Sequence, residues 1–203
     1  MLADRLSRGM GAAARAFGTE YDAFRAAGVE EPMRAERRFL RLMAAFDGGD
    51  PGYRRPTGYE RALRGVFDSA YLRVGDLLRG ERGVLFVASL PPLNRPLCVL
   101  TNAVVRVERP EGPGIVGLSG YGGLVAFVPV LSGWPCQMLP GNGGRAGGLP
   151  GDGELAGYSV LLPLGVPAVR TGDVMVEGAR RFIVGPAEVS ELGWRLGVRQ
   201  VGA

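Results

Sequence analysis

The chain has 203 residues, 46% of them hydrophobic and 22% charged, with a formal net charge of +4. That is enough for one or two domains with a real core, and too mild a charge to require a polyanionic partner. All 24 basic residues are arginine, because lysine and histidine are both missing, which excludes a Walker A lysine, a Schiff-base lysine, Ser-His and Cys-His nucleophile pairs and histidine-containing zinc sites.

Glycine at 34 and proline at 15 favour turns and short strands over long helices. Two cysteines, Cys98 and Cys136, carry no pairing signature and no secretory signal pattern opens the sequence, so both are expected as reduced, buried thiols made in a cytoplasm. No run of about 18 apolar residues occurs that would cross a membrane as a helix.

In chain order, Leu2 to Phe17 reads as an amphipathic helix. Leu2, Leu6, Met10, Ala13, Ala14 and Phe17 recur at helical spacing, while Arg5, Arg8 and Arg15 lie mostly off that stripe, and Gly18 ends it. Gly9 and Gly11 each cost up to about 1 kcal/mol relative to alanine. Such a helix needs docking, either on its own domain or on a neighbouring subunit.

From Glu20 to Tyr59 short elements alternate with turns: Tyr21 to Phe24, a basic run from Arg34 to Arg41, and a break at Gly48 to Gly52. Arg37 to Leu42 fits a strand and a helix equally. Glu30, Glu31 and Glu36 dilute the arginines, so a solvated face is favoured over phosphate contact.

Arg61 to Arg109 carries a first β module. Val84 to Ala88 is a buried strand, Pro91-Pro92 forces a turn, and Leu97 to Val107 supplies a long second strand or a bent pair. Pro110 to Gly157 reads as a Gly-rich, almost uncharged insertion. A literal G-x-G-x-x-G at Gly112, Gly114 and Gly117 contains Pro113 and lacks the following helix that a dinucleotide phosphate site requires. Gly117-Leu-Ser119-Gly is not a nucleophile elbow either, since its second glycine comes one place early and no histidine exists as base. Pro140 to Gly153 reads as a flexible loop that orders against a partner.

The last stretch, Arg170 to Val201, reads as a compact antiparallel unit. Gly172-Asp173 turns, Val174 to Val176 is a strand, Glu177-Gly178 a hairpin turn and Arg181 to Val184 the returning strand. A third strand follows, with Leu192, Trp194, Leu196 and Val198 at period two forming a buried face. The pattern occurs twice. Arg73-Val-Gly-Asp-Leu-Leu matches Arg170-Thr-Gly-Asp-Val-Met at a separation of 97 positions, and Phe86 matches Phe182 at a separation of 96.

Tyr158 to Pro163, Val169 to Met175, Gly178, Arg180 to Val184 and Trp194 to Leu196 together resemble the C-terminal β module of tailed-bacteriophage head–tail joining proteins, the head-closure or stopper class. Ala3 to Leu6, Tyr21 to Arg25 and Leu131 to Pro135 are similar to structural proteins encoded beside phage head genes. The resemblance implies a non-enzymatic component of the virion neck, assembled in the host cytoplasm. It would be a subunit of a homo-oligomeric ring of six or twelve that binds portal or adaptor and tail proteins and closes the head after DNA packaging. No cofactor, metal or membrane is expected, and mild basicity permits non-specific contact with genomic DNA. The alternatives are a tail hub or tail-terminator protein, or a carboxylate-based hydrolase using Asp152/Glu154 or Asp173/Glu177.

The expected fold is mainly β with a helical N-terminal part, built from small antiparallel β-barrel or sandwich modules in two tandem copies. The segments are 1–69 as a helix and arm region, 70–109 as the first β module, 110–157 as the insertion and 158–203 as the C-terminal module. Candidate subunit-contact residues are Leu2, Leu6, Met10 and Phe17 with Arg5 and Arg8.

Overall fold

The computed structural model describes residues 2–47, 62–111, 126–141 and 157–201. Helix α1 (Leu2–Phe17) precedes a first set of strands: β1 (Thr19–Phe24), β2 (Arg38–Asp47), β3 (Ala62–Val66), β4 (Leu77–Gly80), β5 (Gly83–Ser89) and β6 (Leu97–Leu100). A second set follows: β7 (Ala103–Pro110), β8 (Phe127–Pro140), β9 (Gly157–Leu162), β10 (Val174–Glu177), β11 (Arg180–Ser190) and β12 (Gly193–Gln200). The chain is mainly β with one helical N-terminal part, as its glycine and proline content suggests.

Each set closes into an antiparallel barrel. Around the first barrel the order is β1-β2-β3-β6-β5-β4, with β4 returning to β1; around the second it is β7-β8-β9-β12-β11-β10, with β10 returning to β7. The second order is the first shifted by six strands, so the repeat seen in the Gly-Asp hairpins extends to the whole topology. Closure removes the exposed strand edges that open sheets leave unpaired.

Register fixes the repeat more exactly than the sequence does. Leu77 pairs Phe86, Leu78 pairs Leu85 and Gly80 pairs Gly83; at 97 positions further on, Val174 pairs Ile183, Met175 pairs Phe182 and Glu177 pairs Arg180. Phe182 therefore corresponds to Leu85, not to Phe86. Both Leu85 and Phe182 are fully buried inside their barrels, whereas Phe86 and Ile183 point outward.

Each barrel has an interior cluster. Tyr21, Phe46, Phe67, Leu78, Leu85 and Cys98 fill the first, and Leu131, Trp134, Cys136, Met175, Phe182 and Leu196 are prominent in the second. Barrels of this size are filled by side chains, not by ligand. A third cluster lies between them: Phe24, Ala62, Leu77, Phe86 and Val99 from the outer face of the first barrel meet Leu161 and Leu192 of the second.

Several sequence expectations change. Arg37 to Leu42 is a strand from Arg38 onward, preceded by a short 3-10 turn. Leu97 to Val107 is a pair of strands and not one long strand, and Thr101-Asn102 between them is the crossing from the first barrel to the second. The 110–157 segment is no mere insertion: β8 runs through it and pairs with both β7 and β9. Likewise β1, β2 and β3, within the expected 1–69 arm region, are half of the first barrel. Trp194 is only partly buried against the second core, while Trp134 is 1% exposed and is the tryptophan that belongs to it. Gly112, Gly114, Gly117, Ser119, Asp152 and Glu154, and nearly all of the Pro140 to Gly153 loop, lie outside the described residues.

Candidate functional site: the barrel junction and the helix face

The same polar clasp closes both barrels. Arg25 directly follows β1 and Arg109 sits near the end of β7; Asp76 directly precedes β4 and Asp173 directly precedes β10. Arg25 Nε and Nη2 donate to the two carboxylate oxygens of Asp76 at 2.9 and 2.7 Å, and Arg109 does the same to Asp173 at 2.8 and 2.9 Å. The remaining contacts also repeat. The Arg73 and Arg170 backbone N–H groups donate to Asp76 Oδ2 and Asp173 Oδ2 at 2.7 and 2.8 Å. Nη2 of Arg25 reaches the Tyr71 carbonyl, and Nη2 of Arg109 the Ala168 carbonyl.

These aspartates are 3% and 2% exposed, and forked pairing of this kind is the strong form of a charged hydrogen bond. It holds both guanidiniums above their ordinary pKa. Gly75 and Gly172 make the turn just before each aspartate, with φ of 94° and 89°. At Gly75 a side chain would also press on the Leu164 carbonyl oxygen of the second barrel.

The junction is fixed at three places. Thr101 donates from its backbone N–H and its hydroxyl to the Val84 carbonyl of β5, at 2.9 and 2.8 Å. Next to it, Asn102 accepts from the Met138 N–H at 2.7 Å and donates to the Met138 carbonyl at 2.8 Å, so its amide acts as a strand neighbour to β8. The connection from β1 to β2 then reaches across as a strap. Ser132 N–H donates to the Val29 carbonyl, Glu31 N–H to the Ser132 carbonyl, and the Trp134 indole N–H to the Val29 carbonyl at 2.8 Å. Two barrels held by a two-residue crossing, a strap and an apolar cluster form one stiff body.

Helix α1 lies against β2 and β3, but not through its large apolar residues. Ser7 donates to Asp68 Oδ1 at 2.9 Å and accepts from the Ser69 N–H at 3.0 Å, Ala14 is fully buried, and Gly11 sits against Asp68. Residues turn by about 100° each along a helix, so this small-residue face runs beside the Leu2–Leu6–Met10–Phe17 stripe. Leu2 is 68% exposed, Phe17 64% and Leu6 38%. Met10 is half-buried and Arg5 and Arg8 are exposed; Arg8 donates to the Asp4 carbonyl within its own helix. Of the expected contact residues, Leu2, Leu6, Met10 and Phe17 share one edge of the anchored helix, whereas Arg5 and Arg8 lie off it.

Asp173 has its carboxylate committed to Arg109 and to the Arg170 N–H, and Glu177 pairs with Arg180 at 2.8 Å. Neither has the environment of a general acid or base. Among the described residues no group of three His, Cys, Asp or Glu side chains is placed to hold a metal ion, and no helix is long and apolar enough to cross a membrane. Cys98 and Cys136 are free, buried and in different barrels, and burial pushes both thiols well above their ordinary pKa.

The clasp was not legible in the sequence, although Arg25 directly follows β1 and Arg109 lies at the corresponding end of β7. The arginines stand 84 positions apart whereas the Gly-Asp turns stand 97 apart, so the two halves of the clasp do not repeat at one spacing. No family model matches the chain, and no curated protein or solved structure similar to it was found. The fold itself therefore defines the class: a tandem of two six-stranded antiparallel barrels of one topology, carrying an N-terminal helix.

Proposed function

We propose that this chain is a non-enzymatic component of a tailed-phage virion, a subunit of the neck ring that joins the portal to the tail and closes the filled head. The observation that carries the reading is the free apolar edge of α1, where Leu2, Leu6 and Phe17 stay exposed on a helix already anchored by Ser7, Gly11 and Ala14. Neighbouring exposed apolar side chains on one helix edge suit a contact with another subunit. The resemblance of 158–201 to head–tail joining modules supplies the setting. The stiffness of the body supports it, because a ring repeats one contact angle and a flexible hinge would spoil closure. A tail-terminator or tail-hub role uses the same features at another layer. The hydrolase alternative loses ground, since Asp173 is occupied as a structural anion.

A phage lacking the gene tests this. Filled heads and finished tails should accumulate unjoined, and added purified protein should join them in proportion to the amount supplied. Rescue by catalytic amounts, or normal joined particles without the gene, would overturn the reading.

A further inference from the structure

Because the barrels share one topology, their outer surfaces can be compared position by position. On the first barrel a row of outward side chains crosses five strands in register: Phe24, Leu77, Phe86, Val99 and Ala62. All five are buried, and the second barrel covers them with Leu161 of β9 and Leu192 of the turn before β12. The corresponding row on the second barrel is Glu108, Val174, Ile183, Arg199 and Gly157. There Ile183 is 39% exposed, Arg199 is exposed, and Glu108, Val174 and Gly157 are half-buried.

We propose that this second row is an acceptor face for another copy of the same chain, whose first barrel seats on it as the second barrel seats on the first. Copies then associate head to tail. The inference deepens the ring reading and rests on it for its biological setting. Continuity with the internal interface names the occupant, since the surface that fits the first row belongs to this same fold. On the first barrel, Val66 occupies the place that Leu161 holds in β9, because Ala62 and Gly157 are equivalent in register and each lies four residues earlier. The loop between β5 and β6 stands where the turn bearing Leu192 stands, and its Leu93 is 63% exposed. Beside that loop, Met10, Tyr71, Pro91 and Pro92 help line a groove of about 540 Å³ against α1. The incoming end is therefore mixed in character: Leu93 stands exposed and Val66 is half-buried, while Asp4, Arg8 and Asp68 line the groove together with the apolar residues.

The acceptor row keeps the apolar centre, Val174 and Ile183 in place of Leu77 and Phe86, but changes its flanks to Glu108 and Arg199. Glu108 is held by Arg106 at 2.7 Å and by Arg181 at 3.5 Å. An apolar centre inside a charged rim is the composition of an interface whose partners also exist apart, whereas the permanently covered row on the first barrel has no such rim. The contact joins two different surfaces of the chain, so its repetition yields rings or filaments and not closed two-fold dimers.

The test uses the full chain with Ile183→Glu and Leu93→Glu, both at exposed positions, so melting curves should match the wild type. By size-exclusion chromatography with light scattering, the wild type should form concentration-dependent oligomers and each variant alone should be monomeric. Mixing the variants should give one-to-one dimers and nothing larger, because Leu93→Glu keeps the acceptor and Ile183→Glu keeps the incoming end. Oligomers that persist in both variants would overturn this face while leaving a ring intact. A wild type that stays monomeric would overturn head-to-tail association itself, and its presence in particles would still be read independently by mass spectrometry.

Discussion

The repeated clasp makes a quantitative prediction. Asp173→Asn keeps the side-chain shape but replaces one carboxylate oxygen by an NH2 group, which must face an N–H donor of Arg109 or of Arg170. Three hydrogen bonds are at stake, two of them to the guanidinium. Hydrogen bonds to charged groups contribute about 1.5–3 kcal/mol net. The Asn oxygen can retain one or two of them, and Arg109, 33% exposed, recovers some hydration. The loss should be about 2–3 kcal/mol, or a fall in Tm of about 5–10 °C for a chain of this length. Asp76→Asn should cost the same within error, because its distances and backbone partners repeat those of Asp173. Asp22→Asn, whose partners Arg38 and Arg41 are at the surface, should change stability far less. Urea unfolding followed by circular dichroism reads all three. A loss under about 0.5 kcal/mol at Asp76 or Asp173, the range of ordinary surface substitutions, would refute the assignment of the clasp as a closure element.

Two further outcomes follow from burial. Trp134→Ala should cost about 3–5 kcal/mol as a deeply buried aromatic, with added loss of its own hydrogen bond to the Val29 carbonyl, which keeps the Ser132 N–H, and Trp194→Ala should cost clearly less; equal losses would contradict Trp134 as the more deeply buried of the two. Cys98 and Cys136, with thiols raised by burial, should resist a thiol reagent at pH 7–8 in the folded chain and react fully in urea, and immediate labelling of the folded protein would contradict their burial.

What the sequence revealed and concealed follows from the range of each signal. The Gly172-Asp173 and Gly75-Asp76 turns were legible because turn chemistry is local: a glycine at positive φ followed by an aspartate that accepts the N–H three residues back. The third strand's alternation was legible for the same reason at Leu196 and Val198, but Trp194 is only partly buried and Leu192 lies in the preceding turn, packed between the barrels. Barrel closure was not, since nothing in Tyr21 to Phe24 or Ala62 to Val66 says that they join strands from Leu77 onward. A one-residue error placed Phe86 opposite Phe182, and in a strand one residue exchanges inside for outside. That is why the outward row through Ile183 could not be read from sequence. In α1 the apolar stripe was visible, but the face that docks is made of Ser7, Gly11 and Ala14, whose small size permits close approach and leaves no hydrophobic signature.

The proposed neck role meets its most direct test in the copy number of this chain in purified phage particles, measured by quantitative mass spectrometry against the portal protein. A ring subunit should be present at a small fixed number per particle, six or twelve, in the same ratio from one preparation to the next. Particles with none of the chain, or with hundreds of copies, would contradict the account.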